Sequence, residues 1–179
     1  MPSLRTPSRR TALLRVLAVA AVLALPLAGA TRSEPARASA TQFSIMMDDD
    51  LLLYRGPAVR DLALRRMKNL GADYVRVTVL WNVVAQDARS TRARRRRFRA
   101  ARPSTYAHHN WDRYDDLARA AKRIGIGIYF NLTGPGPDFA HGKAPKSQQR
   151  NRRTWKPKVR EFYKFVAAVG TRYSGAYKD

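Results

Sequence analysis

The sequence predicts an α/β fold built on a parallel sheet, and three observations carry that reading. Beyond residue 40 the chain alternates strand, helix, strand, helix, strand, helix. Gly71 and Gly125 stop the first two helices, and each helix feeds directly into the next strand. The strands YVRVTVL and IGIYF are close to continuous apolar runs, as burial on both faces of a parallel sheet requires. Strands interleaved with helices are the mark of parallel crossover units.

Taken in order, Gln42 to Met47 (QFSIMM) is the first strand candidate, and Asp48, Asp49 and Asp50 form an acidic turn after it. Pro57 suits the first turn of a helix. Val59, Leu62, Ala63, Met67 and Leu70 then recur at helical spacing, with Arg60, Asp61, Arg65 and Lys68 away from that stripe. The segment GADYVRVTVLWN, Gly71 to Asn82, is the second strand. Val75, Val77 and Val79 point to one side of it, and Tyr74, Arg76, Thr78 and Leu80 to the other.

Arg76 keeps its charge at any ordinary pH, and breaking a buried pair around such a group costs about 3 to 5 kcal/mol. It is expected to meet a carboxylate, a ligand or water; an edge strand with Arg76 in solvent is the plain alternative. Asp112 is a helix-cap candidate, and Asp115 is placed to favour the helix start. Tyr114, Leu117, Ala118, Ala121 and Ile124 make the stripe of this second helix, and IGIYFNLTG is the third strand. TGPGPDF, Thr133 to Phe139, reads as a rigid loop on a cleft rim, its prolines lacking the amide donors of a phosphate cradle. Pro157 is expected to open a third helix that packs Val159, Phe162, Tyr163, Val166, Val169 and Tyr173.

The first forty residues have a different composition. A basic start, MPSLRTPSRRTALLR, leads into a small and aliphatic run from Val16 to Ala30, followed by cleavage-type patterns at Ala28-Gly29-Ala30 and Ala38-Ser39-Ala40. That order is the order of a signal peptide. The run is short for a membrane span, which needs about 20 apolar residues, so no stable span is expected after cleavage; an uncleaved anchor is the alternative. Ser8-Arg9-Arg10 resembles a twin-arginine signal, although Ala12 stands where that pattern has a large apolar residue. The expectation is a secreted or cell-surface protein, with residues 1–40 as signal peptide and linker and 41–179 as the folded part.

Without residues 1–40 the chain has 29 basic and 12 acidic side chains, a net charge of +17. There is no cysteine, which excludes a disulfide framework and thiolate chemistry. The arginines concentrate in ARSTRARRRRFRAAR, Ala88 to Arg102, a block of like charge that reads as a mobile loop. Through Arg94, Arg95, Arg96 and Arg97 it offers contact to an anionic polymer. Only Phe98 interrupts the run, which is poor material for base stacking, so specific nucleic-acid recognition is not expected. His108, His109 and His141 lack metal-ligand spacing, and no Gly-x-Ser-x-Gly elbow occurs. No metal or cofactor is expected.

Two architectures accommodate the alternation, an open doubly wound sheet and a (β/α)8 (TIM) barrel. MMDDDLLLYRG has no closely spaced glycines, and its aspartates would repel a phosphate, which disfavours a nucleotide-binding open sheet. In a barrel the polar face of the second strand points inward, and Arg76 stands near the functional mouth beside a carboxylate from another strand end.

The segments MKNLGADYVRVTVLWNVVA, NWDRYDDLARAAKRIGIGIYFNLTGP and KVREFYKFVAAVGTRYSG together resemble the amino-terminal part of the cellulase-like glycoside hydrolases, a clan of retaining (β/α)8 barrels. The resemblance spans most of residues 43 to 175. It implies that Arg76 supports a catalytic nucleophile and that Trp81 lines the sugar cleft, a core tryptophan at the barrel rim being the other reading. Asn82 and Asn131 would offer hydrogen bonds to hydroxyls, and Asp48 would contribute to the cleft or belong to a solvated turn.

Retaining hydrolysis needs two carboxylates about 5 Å apart, and in the clan both are glutamates, one of them in an Asn-Glu pair. Here no Asn-Glu pair occurs, and Glu161, the one glutamate beyond residue 40, falls on the third helix, where a solvated face is expected. A full barrel takes about 250 residues. The expectation is therefore about three βα units of an exported glycoside hydrolase-like protein acting on O-glycosidic bonds, ending before the catalytic glutamates and inactive alone. The alternative is a secreted cationic protein that binds anionic polymers or the envelope surface.

Overall fold

A computed structural model describes residues 41–178. The export signal expected at residues 1–40 lies outside the described residues. Three strands, β1 (Ile45–Met47), β2 (Tyr74–Leu80) and β3 (Gly127–Thr133), form one parallel sheet in the order β1-β2-β3. The helices are α1 (Pro57–Asn69), α2 (Trp81–Val84), α3 (Arg92–Arg97), α4 (Asp112–Ile124) and α5 (Val159–Arg172). Parallel neighbours cannot be joined by a tight turn, so α1 crosses from β1 to β2 and α4 belongs to the longer crossover from β2 to β3. A π-helical turn, Asp50–Tyr54, follows β1.

The alternation in β2 sorts its side chains as the sequence predicts. Val75, Val77 and Val79 are fully buried in one core with Leu64, Tyr114, Leu117 and Phe165. On the opposite face Arg76 stands between Met47 and Tyr129, and Thr78 beside Asn131. Met47 and Tyr129 are more than half exposed, so among the described residues this face carries no packed layer. Gly127 lies opposite Tyr74, and a side chain at Gly127 would collide with the Tyr74 ring, which meets Phe43 edge-on at 5.3 Å.

Two helices bury sets that differ from their expected stripes, and each set includes an arginine that faces a carboxylate. In α1 the buried set is Arg60, Ala63 and Leu64, while Val59, Leu62 and Leu70 are exposed. Arg60 lays its aliphatic stem in the interface and reaches Asp61 at 3.9 Å and Asp116 of α4 at 3.7 Å. In α5 the buried set is Phe165, Ala168, Val169 and Arg172, with Val159 79% and Tyr163 72% exposed.

Arg172 is drawn inward by Asp115, which accepts from its Nη2 at 2.6 Å and Nε at 3.0 Å and from the Tyr173 hydroxyl at 2.8 Å. Asp115 thus clamps two helices, beyond its expected role at a helix start. Pro157 does not open α5; it bridges to His141, and the helix starts at Val159.

The arginine block differs from a mobile loop. Residues 92–97 form α3, and the Thr91 hydroxyl accepts the Arg94 amide at 3.1 Å. Arginine is a good helix former, and Phe98 behind it is a buried anchor against Tyr106 at 5.0 Å and Phe139 at 5.5 Å. The Arg89 guanidinium caps the Phe139 ring at 4.2 Å.

Candidate functional site

The carboxyl ends of β2 and β3 are tied together where the Asn82 amide donates to the Pro135 carbonyl at 3.1 Å. Beyond β3 the chain folds back on itself through residue 158. Gly136 donates to the Arg153 carbonyl at 3.3 Å, Gly142 to Trp155 at 3.1 Å, and Lys158 to Ala140 at 2.8 Å. Gly136 lies under the Trp81 ring so closely that a Cβ there would be 3.1 Å from Cζ3. The opposite wall, residues 84–87, is pinned by buried Asn110, whose Nδ2 donates to the Gln86 carbonyl at 2.9 Å and the Val84 carbonyl at 3.2 Å. Asp87 follows in a left-handed conformation, φ 62°, tolerated by a short polar side chain.

Between these walls lies a cleft of about 420 Å³ lined by Asn82, Val83, Gln86, Asp87, Pro137, Asp138 and Arg153. Its polar lining consists of two side-chain amides, two carboxylates and one guanidinium. The Asn82 Oδ1 is buried and has no hydrogen-bond partner. Such an orphan costs about 1–3 kcal/mol. Asp138 Oδ1 is 3.7 Å from Arg153 Nε and 3.8 Å from His141 Nε2, while His141 Nδ1 meets the Gly142 carbonyl at 2.9 Å. Arg153 also borders an apolar hollow of about 290 Å³ formed with Trp81, Pro157 and Phe162, and a polar one of about 490 Å³ with Arg150 and Arg152.

The residues expected to form the site are only partly gathered here. Asn82 lines the cleft. Trp81 is a core residue at 3% exposure, stacked on Phe165 at 5.6 Å, with one ring edge on the apolar hollow. Among the described residues no carboxylate pairs with Arg76; its guanidinium donates to the Met47 sulfur, a weak acceptor. The three aspartates are committed elsewhere: Asp48 accepts the Leu51 amide at 3.0 Å, Asp49 the Thr78 amide at 2.8 Å, and Asp50 the Arg55 Nε at 2.7 Å. Asp48 therefore serves the turn after β1 and not the cleft, and the charge and hydrogen bond of Asp50 raise the pKa of Arg55. Asn131 sits on the open face beside Thr78, two residues short of the end of β3.

Glu161 is not on a solvated face. Its side chain is largely buried, Oε1 accepts from Lys164 Nζ at 2.7 Å, and Oε2 is a buried atom without a hydrogen-bond partner. Burial first, and the charge of Glu161 second, push the Tyr106 hydroxyl well above its ordinary range. Arg94 Nη1 lies 3.4 Å from the Asp87 carbonyl, so the arginine helix flanks the cleft.

Gln86, Asp87, Asp138 and Arg153 are the cleft residues that sequence reasoning missed. Asp138 had a signal, since TGPGPDF reads as a cleft rim. Arg153 had none, because KSQQRNRRT shows no period that would fold it back onto a strand end. Among the described residues no three His, Asp or Glu side chains converge as a metal site, and no helix is long and apolar enough to cross a membrane. In comparisons with known proteins, no family model, no curated protein and no solved structure matches this chain.

Proposed function

We propose that the protein is an exported, glycoside hydrolase-like protein in which the three-stranded sheet is one wall of a (β/α)8 barrel and the cleft beyond its carboxyl ends holds a polysaccharide or glycoside. The observation that carries this reading is the one-sidedness of the sheet. Helices cover the Val75, Val77 and Val79 face, while among the described residues no helix covers the face that carries the half-buried Arg76, Thr78 and Asn131 and the exposed Tyr129. A doubly wound sheet has helices on both faces. A barrel wall has them outside only, with its active site on the carboxyl-end loops.

The cleft residues bind and orient in this reading. The amides of Asn82 and Gln86 and the carboxylates of Asp87 and Asp138 match sugar hydroxyls, and among the described residues no glutamate lines the cleft. The acid/base and nucleophile pair of a retaining mechanism is therefore assigned outside these residues, and Arg76 is a supporting group on the inner face, as the resemblance implies. Calorimetric titration of the purified full chain with a panel of oligosaccharides tests the reading. Saccharide binding that weakens on Asn82→Ala is the expected result; absence of binding across the panel refutes it.

A second reading, contact with an anionic polymer or envelope surface, is favoured by one feature. Arg94, Arg95, Arg96 and Arg97 are all exposed, and among the described residues none of them pairs with a carboxylate. Salt-sensitive polymer binding lost on replacing these four residues would support it.

A further inference from the structure

We infer that the saccharide taken by the carboxyl-end cleft is an acidic one, bearing carboxylate or sulfate groups, and that Arg153 with Arg150 and Arg152 recognises the acid. This rests on the reading of the cleft as a saccharide site and names the substrate class for it. Residues 134 to 158, which form one wall of the cleft and both neighbouring hollows, contain seven basic side chains and a single acidic one, Asp138. Arg153 is the one residue shared by all three spaces. Its only ionic neighbour among the described residues is Asp138, at 3.7 Å, beyond hydrogen-bond length. Its fork of donors is therefore largely unspent.

Arg150 and Arg152 are exposed on the adjoining hollow of about 490 Å³, and among the described residues neither pairs with a carboxylate. A planar guanidinium holds a carboxylate or sulfate through two parallel hydrogen bonds, a geometry that a neutral hydroxyl cannot reproduce. Along an acidic polysaccharide, acid groups recur at every sugar or every second one, and the three arginines extend from the cleft into the neighbouring hollow. The opposite side adds to the same field, since Arg94 reaches the carbonyl of the cleft residue Asp87. Basic walls on both sides of a concave surface raise the local concentration of an anionic chain. The two carboxylates in the cleft, Asp87 and Asp138, remain for hydroxyls, while Arg150 and Arg152 carry acid recognition on into the neighbouring hollow, which neither aspartate lines.

The test titrates the full-length protein with oligosaccharides of matched length. Oligogalacturonate and hyaluronan fragments carry carboxylates and chondroitin sulfate fragments add sulfates; fully methyl-esterified oligogalacturonate and cello-oligosaccharide are neutral; polyglutamate is an acidic chain without sugar. An acidic saccharide should bind about tenfold or more tightly than the neutral ones, with about a tenfold loss on Arg153→Gln. Arg153→Lys should restore only part of that loss. Arg150→Gln, at an exposed position, gives the same direction without risk to folding, and circular dichroism checks both variants.

Equal binding of neutral and acidic sugars, or equal binding of polyglutamate, overturns the inference and leaves the saccharide reading standing in the first case. Acidic binding that neither Arg153→Gln nor Arg150→Gln weakens also overturns it. If no saccharide of either kind binds, the saccharide reading itself fails, and the inference with it.

Discussion

Replacing Asp115 by alanine takes a carboxylate away from a guanidinium that stays inside the protein. The side chains of Arg172 and Asp115 are 5% and 11% exposed, so neither charge is well hydrated. Breaking a buried pair of this kind costs about 3–5 kcal/mol. The low end applies here, about 3 kcal/mol, because the guanidinium keeps the Trp111 ring at 5.2 Å and the Tyr177 ring at 5.5 Å. The Tyr173 hydroxyl, held well above its ordinary range by burial and by the Asp115 charge, loses its acceptor as well.

For a chain of this size 3 kcal/mol corresponds to a fall in Tm of about 6–12 °C. Urea unfolding followed by tryptophan fluorescence and circular dichroism measures the cost. The double replacement Asp115→Leu with Arg172→Met should recover most of it, since apolar pairs of similar volume are about as stable as the ion pair they replace. A cost below about 1 kcal/mol for Asp115→Ala, the range of an exposed pair, would refute the clamp between α4 and α5.

Three further outcomes follow from the same packing. Burial raises the pKa of Tyr114 from about 10 to about 12, so its contribution is complete below pH 10 and is lost as the pH rises toward 12, by about 2–3 kcal/mol; alkaline urea titrations should show this fall on top of those of Tyr106 and Tyr173, and Tyr114→Phe should make the total fall shallower by that amount. Phe98→Ala removes the anchor behind α3 and should cost about 3–5 kcal/mol, with amide exchange rising first in residues 92–97. Gly136→Ala sets a methyl 3.1 Å from the buried Trp81 ring and should cost about 1–3 kcal/mol by overpacking, shifting the tryptophan emission.

The legible part of this protein was the part governed by local rules. The strand-helix alternation, the two-faced pattern of β2, Gly56-Pro57 at the start of α1 and Gly125 at the end of α4 depend on periodicity and on backbone conformations near one residue. The misread parts involve charges whose partners lie far along the chain. Arg60 and Arg172 look solvent-facing by composition, yet Asp116 and Asp115 draw them into interfaces 56 and 57 residues away. Repulsion among the arginines suggested an unstructured block, because neither the Thr91 cap nor the pocket that receives Phe98 shows in a count of charges.

The sequence by itself determined a parallel α/β sheet, a polar and an apolar side for β2, a cationic surface, and a rim loop at Thr133 to Phe139. Only the tertiary structure decided that Asn82, Gln86, Asp87, Asp138 and Arg153 share one cleft, and that Arg76 meets a sulfur while Asp48 and Asp49 hold backbone amides and Asp50 holds Arg55. Periodicity fixes which way a side chain faces within its own element. Which distant side chain it meets depends on how the elements dock, and in this protein the docked core brings together long-range ion pairs and aromatic contacts that no local pattern encodes.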